Sequence, residues 1–178
     1  MHRLFVAIRP PADIRNRMLD LMEGVAGARW QDDDQLHLTL RFIGEVDGRV
    51  ADDVVAALAA VSHPPFIIAL DGLGKFGSKG RVTALWAGVK PHDALAHLHR
   101  KVDQALVRAG LAPERRAYLP HITLARFGRE AGGLDSFLEM HAGLASPPFG
   151  VTHFALFESR LGQAGASYTI VERYALRD

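Results

Sequence analysis

Two stretches of the chain pair an imidazole with a hydroxyl at the same spacing. They are QLHLTLRFIGE, residues 35–45, and YLPHITLARFGRE, residues 118–130. Each contains His-[Leu/Ile]-Thr-Leu, and each is followed by Arg, Phe and Gly. In a β-strand residues i and i+2 share a face, so His37 lies beside Thr39 and His121 beside Thr123. Leu38, Leu40, Ile122 and Leu124 then point the other way, into an apolar layer. If the two stretches face each other, an imidazole stands on either side of the space between them. That suits in-line displacement at a phosphate, with a base behind the attacking oxygen and an acid behind the leaving oxygen. The two hydroxyls can donate to the non-bridging oxygens as their charge grows. Imidazoles titrate near neutrality and can take either proton role, so this chemistry needs no metal and no cofactor.

The surrounding chain repeats as well. Pro10 precedes His37 by 27 residues and Pro91 precedes His121 by 30; Phe66 follows the first histidine by 29 and Phe149 follows the second by 28. Four landmarks in one order read as an internal duplication of a strand–helix–strand–helix–strand unit, over about 3–76 and 82–158 with a final strand at 167–176. Apolar runs at 3–8, 36–44, 66–73, 82–89, 121–127, 150–158 and 167–176 predict about seven strands. Ile14, Met18, Leu21, Met22 and Val25 recur at helical spacing, as do Val50, Val54, Leu58 and Val61. Leu95, Leu98, Val102, Leu106 and Ala109 mark a long helix closed by Gly110, and a short helical pattern follows the second motif. The predicted fold is α+β. It is a single bilobal domain, 1–178, with two antiparallel sheets facing a central cleft, helices outside and pseudo-two-fold symmetry.

Composition narrows the classes. The 178 residues are 48% hydrophobic and 23% charged, with net charge +1 and no cysteine. Disulfides, thiolate metal sites and a cysteine nucleophile are excluded. With so small a net charge, an anionic partner must be held by a local basic cluster. The longest early apolar run, Leu4 to Ile8, is too short for a signal segment, and no stretch approaches a membrane helix. A cytoplasmic protein without membrane contact is expected.

Other motifs are weaker. GKFGSKGR, residues 74–81, lacks P-loop spacing and reads as a solvated loop, although Lys75, Lys79 and Arg81 could steer an RNA backbone. Asp32 to Asp34 read as a solvated loop. His97 and His99 lie two apart on a helix, where side chains diverge, so they do not suggest a metal site.

With RLFVAIRPP, LHLTLRFIGE, LPHITLARFG and FALFESRL, then Gly165 and Tyr168, the chain resembles the two-histidine (2H) phosphoesterases over nearly its whole length. It is most similar to the bacterial RNA 2′,3′-cyclic phosphodiesterases, also called 2′-5′ RNA ligases. The resemblance implies a bilobal fold with both motifs on a central cleft. It implies hydrolysis of an RNA terminal 2′,3′-cyclic phosphate to a 2′-phosphate, with reversible 2′-5′ ligation in some members. His37 falls on the proton donor, His121 on the proton acceptor, and Thr39 and Thr123 on the oxyanion ligands. Phe42 and Arg126, each five residues past a histidine, fall where the terminal base and phosphate are held. Strand parity alone turns both away from the cleft, unless a bulge or a strand end at Gly44 and Gly128 re-aims them. The partner implied is RNA with a cyclic phosphate end, such as a tRNA fragment, acted on by a monomer. Two alternatives stay open: a 2H enzyme for a small cyclic phosphate or a 2′-5′ oligonucleotide, and a non-catalytic module that binds RNA ends.

Overall fold

A computed structural model describes residues 1–178, apart from the side chain of Glu130. In chain order the elements are β1 (His2–Ile8), α1 (Ala12–Leu19), β2 (Ala26–Trp30), β3 (Leu38–Val46), α2 (Gly48–Leu58), β4 (Phe66–Ser78), β5 (Arg81–Lys90), α3 (Asp93–Arg108), β6 (His121–Gly132), α4 (Leu134–Met140), β7 (Phe149–Val151), β8 (His153–Gly162) and β9 (Gly165–Ala175). A short 3-10 turn, Asp33–Gln35, precedes β3.

The strands form one antiparallel path, β7-β4-β5-β6-β3-β1-β8-β9, with β2 also paired to β6. The two halves exchange strands. β4 from the first half pairs with β5 from the second, and β8 from the second half pairs with β1 from the first. Each half-sheet therefore depends on both halves of the chain. The half-sheets meet at a single pair, Leu38 with Ile122, at the centre of the two motifs. The two expected sheets are thus continuous through one bridge.

Helices cover the outer side. α2 and α3 pack on each other over β1 and β3, and Phe137 of α4 packs against Trp30 of β2. One apolar core runs under both motifs, and Leu38, Leu40, Ile122 and Leu124 are all buried within it. Removing one of these side chains would cost about 2–5 kcal/mol, so the motif strands are anchored from behind.

Three expectations need correction. The first helix stops at Leu19, and the apolar residues that follow lead into β2, for which no strand was predicted. Val25 is buried without being helical. Residues 74–81, read as a loop, are the ends of the long β4–β5 hairpin, which turns at Lys79 and Gly80 with positive φ. The 150–158 strand divides into β7 and β8, giving nine strands where seven were expected.

Candidate active site

The Leu38–Ile122 pair is the one point where β3 and β6 are joined, so His37 and Thr39 flank it on one strand and His121 and Thr123 on the other. The two motifs therefore meet where the half-sheets join. Both imidazoles are tied in the same way. His37 Nδ1 is 2.7 Å from the carbonyl oxygen of Gln35, and His121 Nδ1 is 2.7 Å from that of Leu119. A carbonyl only accepts, so each Nδ1 carries the proton, and each Nε2 is left as the exchangeable nitrogen.

The walls around the two rings differ. His37 sits against Phe5 at 4.8 Å and edge-to-face with Tyr168 at 5.3 Å, with Phe157 behind at 6.4 Å. Burial pushes the His37 imidazole down to about 4; the Gln35 carbonyl acts in the opposite direction, and the positive groups Arg126, His121 and Arg9 add to the lowering. The residue as a whole is half-buried. His121 is flanked by Phe76 at 4.9 Å, edge-to-face, and Trp86 at 5.8 Å. Burial also lowers its proton affinity, against the Leu119 carbonyl and with help from Arg126. Gly74 makes room for the indole, because a Cβ there would fall 2.2 Å from the Trp86 ring.

The structure resolves the parity problem at Phe42 and Arg126. Each motif strand carries a bulge within the motif, rather than an end at Gly44 or Gly128. Against β1, Ala7 pairs with Thr39 but Val6 pairs with Arg41, so Leu40 is the extra residue. Against β5, Trp86 pairs with Thr123 but Leu85 pairs with Ala125, so Leu124 is the extra residue. A bulge puts two successive side chains on one face and shifts every later one. Leu40 and Arg41 both turn inward, and so do Leu124 and Ala125. Phe42 is 42% exposed and lines the cleft. Arg126 is exposed and close enough to act on both imidazoles.

The shared Arg-Phe letters therefore do different work. In the first motif Arg41 is buried; it bonds Asp103 Oδ1 at 2.8 Å and the carbonyls of Phe42 and Ala112. In the second motif the extra Ala125 shifts the frame, so Arg126 faces the cleft and Phe127 is buried.

Several supporting residues carried no readable signal in the sequence. The carbonyls around the first bulge are taken by Tyr118 Oη (Thr39 O, 3.0 Å) and His99 Nδ1 (Leu40 O, 2.6 Å), whose rings stack at 4.2 Å. At the second bulge the Gln31 amide donates to Leu124 O at 2.8 Å. Gln35 Nε2 donates to Ala166 O at 2.8 Å, which ties the approach to His37 to the last hairpin. His99 is thus engaged in the core, while His97 packs against His63. Among the described residues no three His, Asp or Glu side chains converge as metal ligands.

Beside His121 opens a cavity of about 590 Å³ lined by Thr39, Phe42, Phe76, Arg116 and Tyr118. A larger one of about 870 Å³, lined by Lys75, Arg81, Arg129 and Leu134, lies at the hairpin end and includes none of the four motif residues. No helix is long and apolar enough to cross a membrane.

Comparison with known proteins agrees with this geometry. The chain is 34% identical over 144 residues to an RNA 2′,3′-cyclic phosphodiesterase of Geobacillus stearothermophilus; the match covers 79% of this chain and 46% of that protein, so the chain spans about half of that relative's length. It is 30% identical over 183 residues to the protein of the same name from Escherichia coli K12, covering 98% and 96% of the two chains. The crystal structure of E. coli LigT complexed with 3′-AMP superposes with a TM-score of 0.79 at 27% identity, covering 99% of this chain and 99% of that one. The family model described as the 2′-5′ RNA ligase superfamily matches residues 4–163, and with both histidine motifs paired at the junction of the half-sheets, the chain belongs to that superfamily of enzymes.

Proposed function

We propose that the protein hydrolyses an RNA terminal 2′,3′-cyclic phosphate to a 2′-phosphate by metal-independent acid–base catalysis. The observation that carries this reading is the pair of imidazoles, each with Nδ1 fixed on a carbonyl and Nε2 free, in two motifs joined at the Leu38–Ile122 pair. The names of the relatives support the substrate class.

In this mechanism His121 Nε2 takes a proton from water as its oxygen bonds to phosphorus. The P–O3′ bond breaks on the opposite side, and His37 Nε2–H gives its proton to O3′. The phosphate stays on O2′. Thr39 and Thr123 donate hydrogen bonds to the non-bridging oxygens, and the Arg126 guanidinium offsets their charge. Phe42 provides a face for the terminal base, a contact that tolerates any base. A 5′-hydroxyl in place of water would give a 2′-5′ linkage by the same two transfers.

The acid role of His37 comes from the family resemblance, and the free protein opposes it by holding the proton weakly. The substrate supplies the missing field. A unit negative charge about 4 Å away, at an effective dielectric near 20, contributes ~4 kcal/mol, a factor of about 10³ in proton affinity. That exceeds the few-hundredfold that separates 6.5 from about 4. Binding of the phosphate would thus load the acid.

The test is turnover of a short RNA with a 2′,3′-cyclic end, with the product phosphate located on O2′ or O3′. A 3′-phosphate product would refute the bond assignment. Binding without turnover would favour an end-binding module, and turnover of free cyclic mononucleotides alone would favour a small-molecule enzyme. Activity should survive excess chelator.

A further inference from the structure

β2 was not legible as a strand, and what it adds to the cleft was not legible either. It pairs with β6 so that Arg29 stands directly opposite Arg126. Directly opposed residues of an antiparallel pair point to the same face. The flanking pairs fix which face. Ala28 opposes Phe127, which is buried, and Trp30 opposes Ala125, also buried, with Trp30 packed on Phe137 of the outer helix. Arg29 therefore projects to the cleft side beside Arg126, and both are exposed.

Two like charges directly opposite each other destabilise a sheet. Among the described residues neither guanidinium is in an ion pair, although Arg9, Arg15, Arg41, Arg116 and Arg160 all are. The juxtaposition thus sets two cationic side chains together, and an anion would gain two forked donors in one place. In a protein of net charge +1 such a local cluster is what a polyanion needs. The pair also lies one cleft-facing position beyond Thr123, because the bulge at Leu124 brings Arg126 next in line on that face.

We infer that Arg29, together with Arg126, forms a second phosphate subsite that holds the phosphate on the 5′ side of the terminal nucleotide. The inference rests on the cyclic-phosphodiesterase reading for the position of the first phosphate. It makes the site a reader of RNA ends, favouring an oligonucleotide over a free cyclic mononucleotide. Arg126 serves both phosphates, whereas Arg29 serves only the second.

The experiment compares kcat/KM for adenosine 2′,3′-cyclic phosphate, its 5′-phosphorylated form, and the dinucleotide ApA ending in a 2′,3′-cyclic phosphate, using the wild type, Arg29→Gln and Arg29→Lys. The wild type should prefer the two substrates that carry the extra phosphate by about tenfold, the scale of a partly exposed charge-assisted contact. Arg29→Gln should erase most of that preference, and Arg29→Lys should keep much of it. A preference for the dinucleotide alone that survives Arg29→Gln would overturn the inference, since the gain would then come from the added nucleoside. An equal loss on all three substrates would overturn it too, because Arg29 would be serving the fold or the first site. Binding provides a readout independent of turnover. Arg29→Gln should weaken binding of a short single-stranded RNA with a terminal phosphate by about tenfold and flatten its salt dependence. If the wild type turns over none of the three substrates, the reading of the reaction fails and binding alone decides; unchanged binding by Arg29→Gln then overturns the subsite.

Discussion

The pH dependence of kcat/KM tests the site most directly, because it reports the free protein, where both imidazoles are perturbed in a known direction. The productive form carries one proton on the pair: base neutral, acid charged. Burial holds His37 at about 4, and His121 also lies below its ordinary 6.5. The singly protonated pair is thus most populated between about 4 and some value under 6.5. The limbs belong to the coupled pair rather than to named residues. Raising the pH through the upper limb removes the pair's single proton, so activity falls; lowering it through about 4 adds a second proton to the pair, so activity falls again. If the upper limb lay as high as 6.5, kcat/KM would drop about tenfold between pH 5.5 and 7.5, and a lower limb makes the drop steeper. The upper limb of kcat, measured at saturating substrate, should lie at higher pH, because the bound phosphate favours the charged imidazole.

The cause can be tested in the same assay. Tyr168 closes one side of the His37 ring. Tyr168→Ala admits water and relieves the burial that dominates the shift, so the acidic limb should move up from about 4 toward 6.5. Steady-state initial rates with a short cyclic-ended RNA across pH 4 to 9 give both profiles. A kcat/KM that is flat or rises from pH 5.5 to 7.5 in the wild type would refute the assignment of these limbs to the buried pair. An acidic limb unmoved in Tyr168→Ala would refute burial as its cause.

Further outcomes follow from the same geometry. Thr39→Val and Thr123→Val should each lower kcat by up to about 10²-fold, the scale of a lost oxyanion donor; an unchanged kcat with a raised KM would place them in ground-state binding only. His37→Ala should be largely rescued by an aryl leaving group that departs without a proton, and His121→Ala should not be; the opposite pattern of kcat/KM would reverse the two roles. Phe42→Ala should raise KM by roughly tenfold or more with kcat little changed, and Phe42→Tyr should retain binding, as read by steady-state kinetics. Arg41→Met should destabilise the fold by about 3 kcal/mol or more in urea denaturation, because it leaves the Asp103 carboxylate and two carbonyls without their buried partner. A loss below about 1 kcal/mol would show that water replaces those bonds.

How much was legible in the sequence follows from which signals are local. The anchoring of the two motifs was legible because strand parity needs only two-residue spacing: Leu38, Leu40, Ile122 and Leu124 are buried as the alternation with His37, Thr39, His121 and Thr123 requires. The landmarks of the repeat could be found because Pro, Phe and the motif are written twice. The strand exchange that places β4 on β5 and β8 on β1 leaves no local mark, since it depends on which edges meet. β2 escaped because AGARW has three small residues and an arginine in five and gains its stability from pairing with β6. Residues 74–81 escaped for a related reason. Glycine reads as loop, yet Gly74 is needed under the Trp86 ring and Gly77 beside the Arg81 carbonyl, within a paired hairpin.

The bulges are the instructive case. Alternation alone puts Phe42 and Arg126 on the core side, because it assumes one residue on each strand opposite another. The extra residue is Leu40 in one motif and Leu124 in the other, and nothing in a leucine announces a bulge. Its cause lies elsewhere: Tyr118 and His99 take the displaced carbonyls at the first, and the Gln31 amide takes that at the second. The two Arg-Phe pairs look like one repeated signal, yet one arginine is sunk on Asp103 and the other faces the cleft. A single inserted alanine, Ala125, accounts for the difference. The duplicated frame thus sets the two histidines alike, and the residue count after each bulge makes one wall aromatic and the other cationic. On the proposed reaction, that asymmetry orients the nucleotide, with its base toward Phe42 and its phosphates toward Arg126.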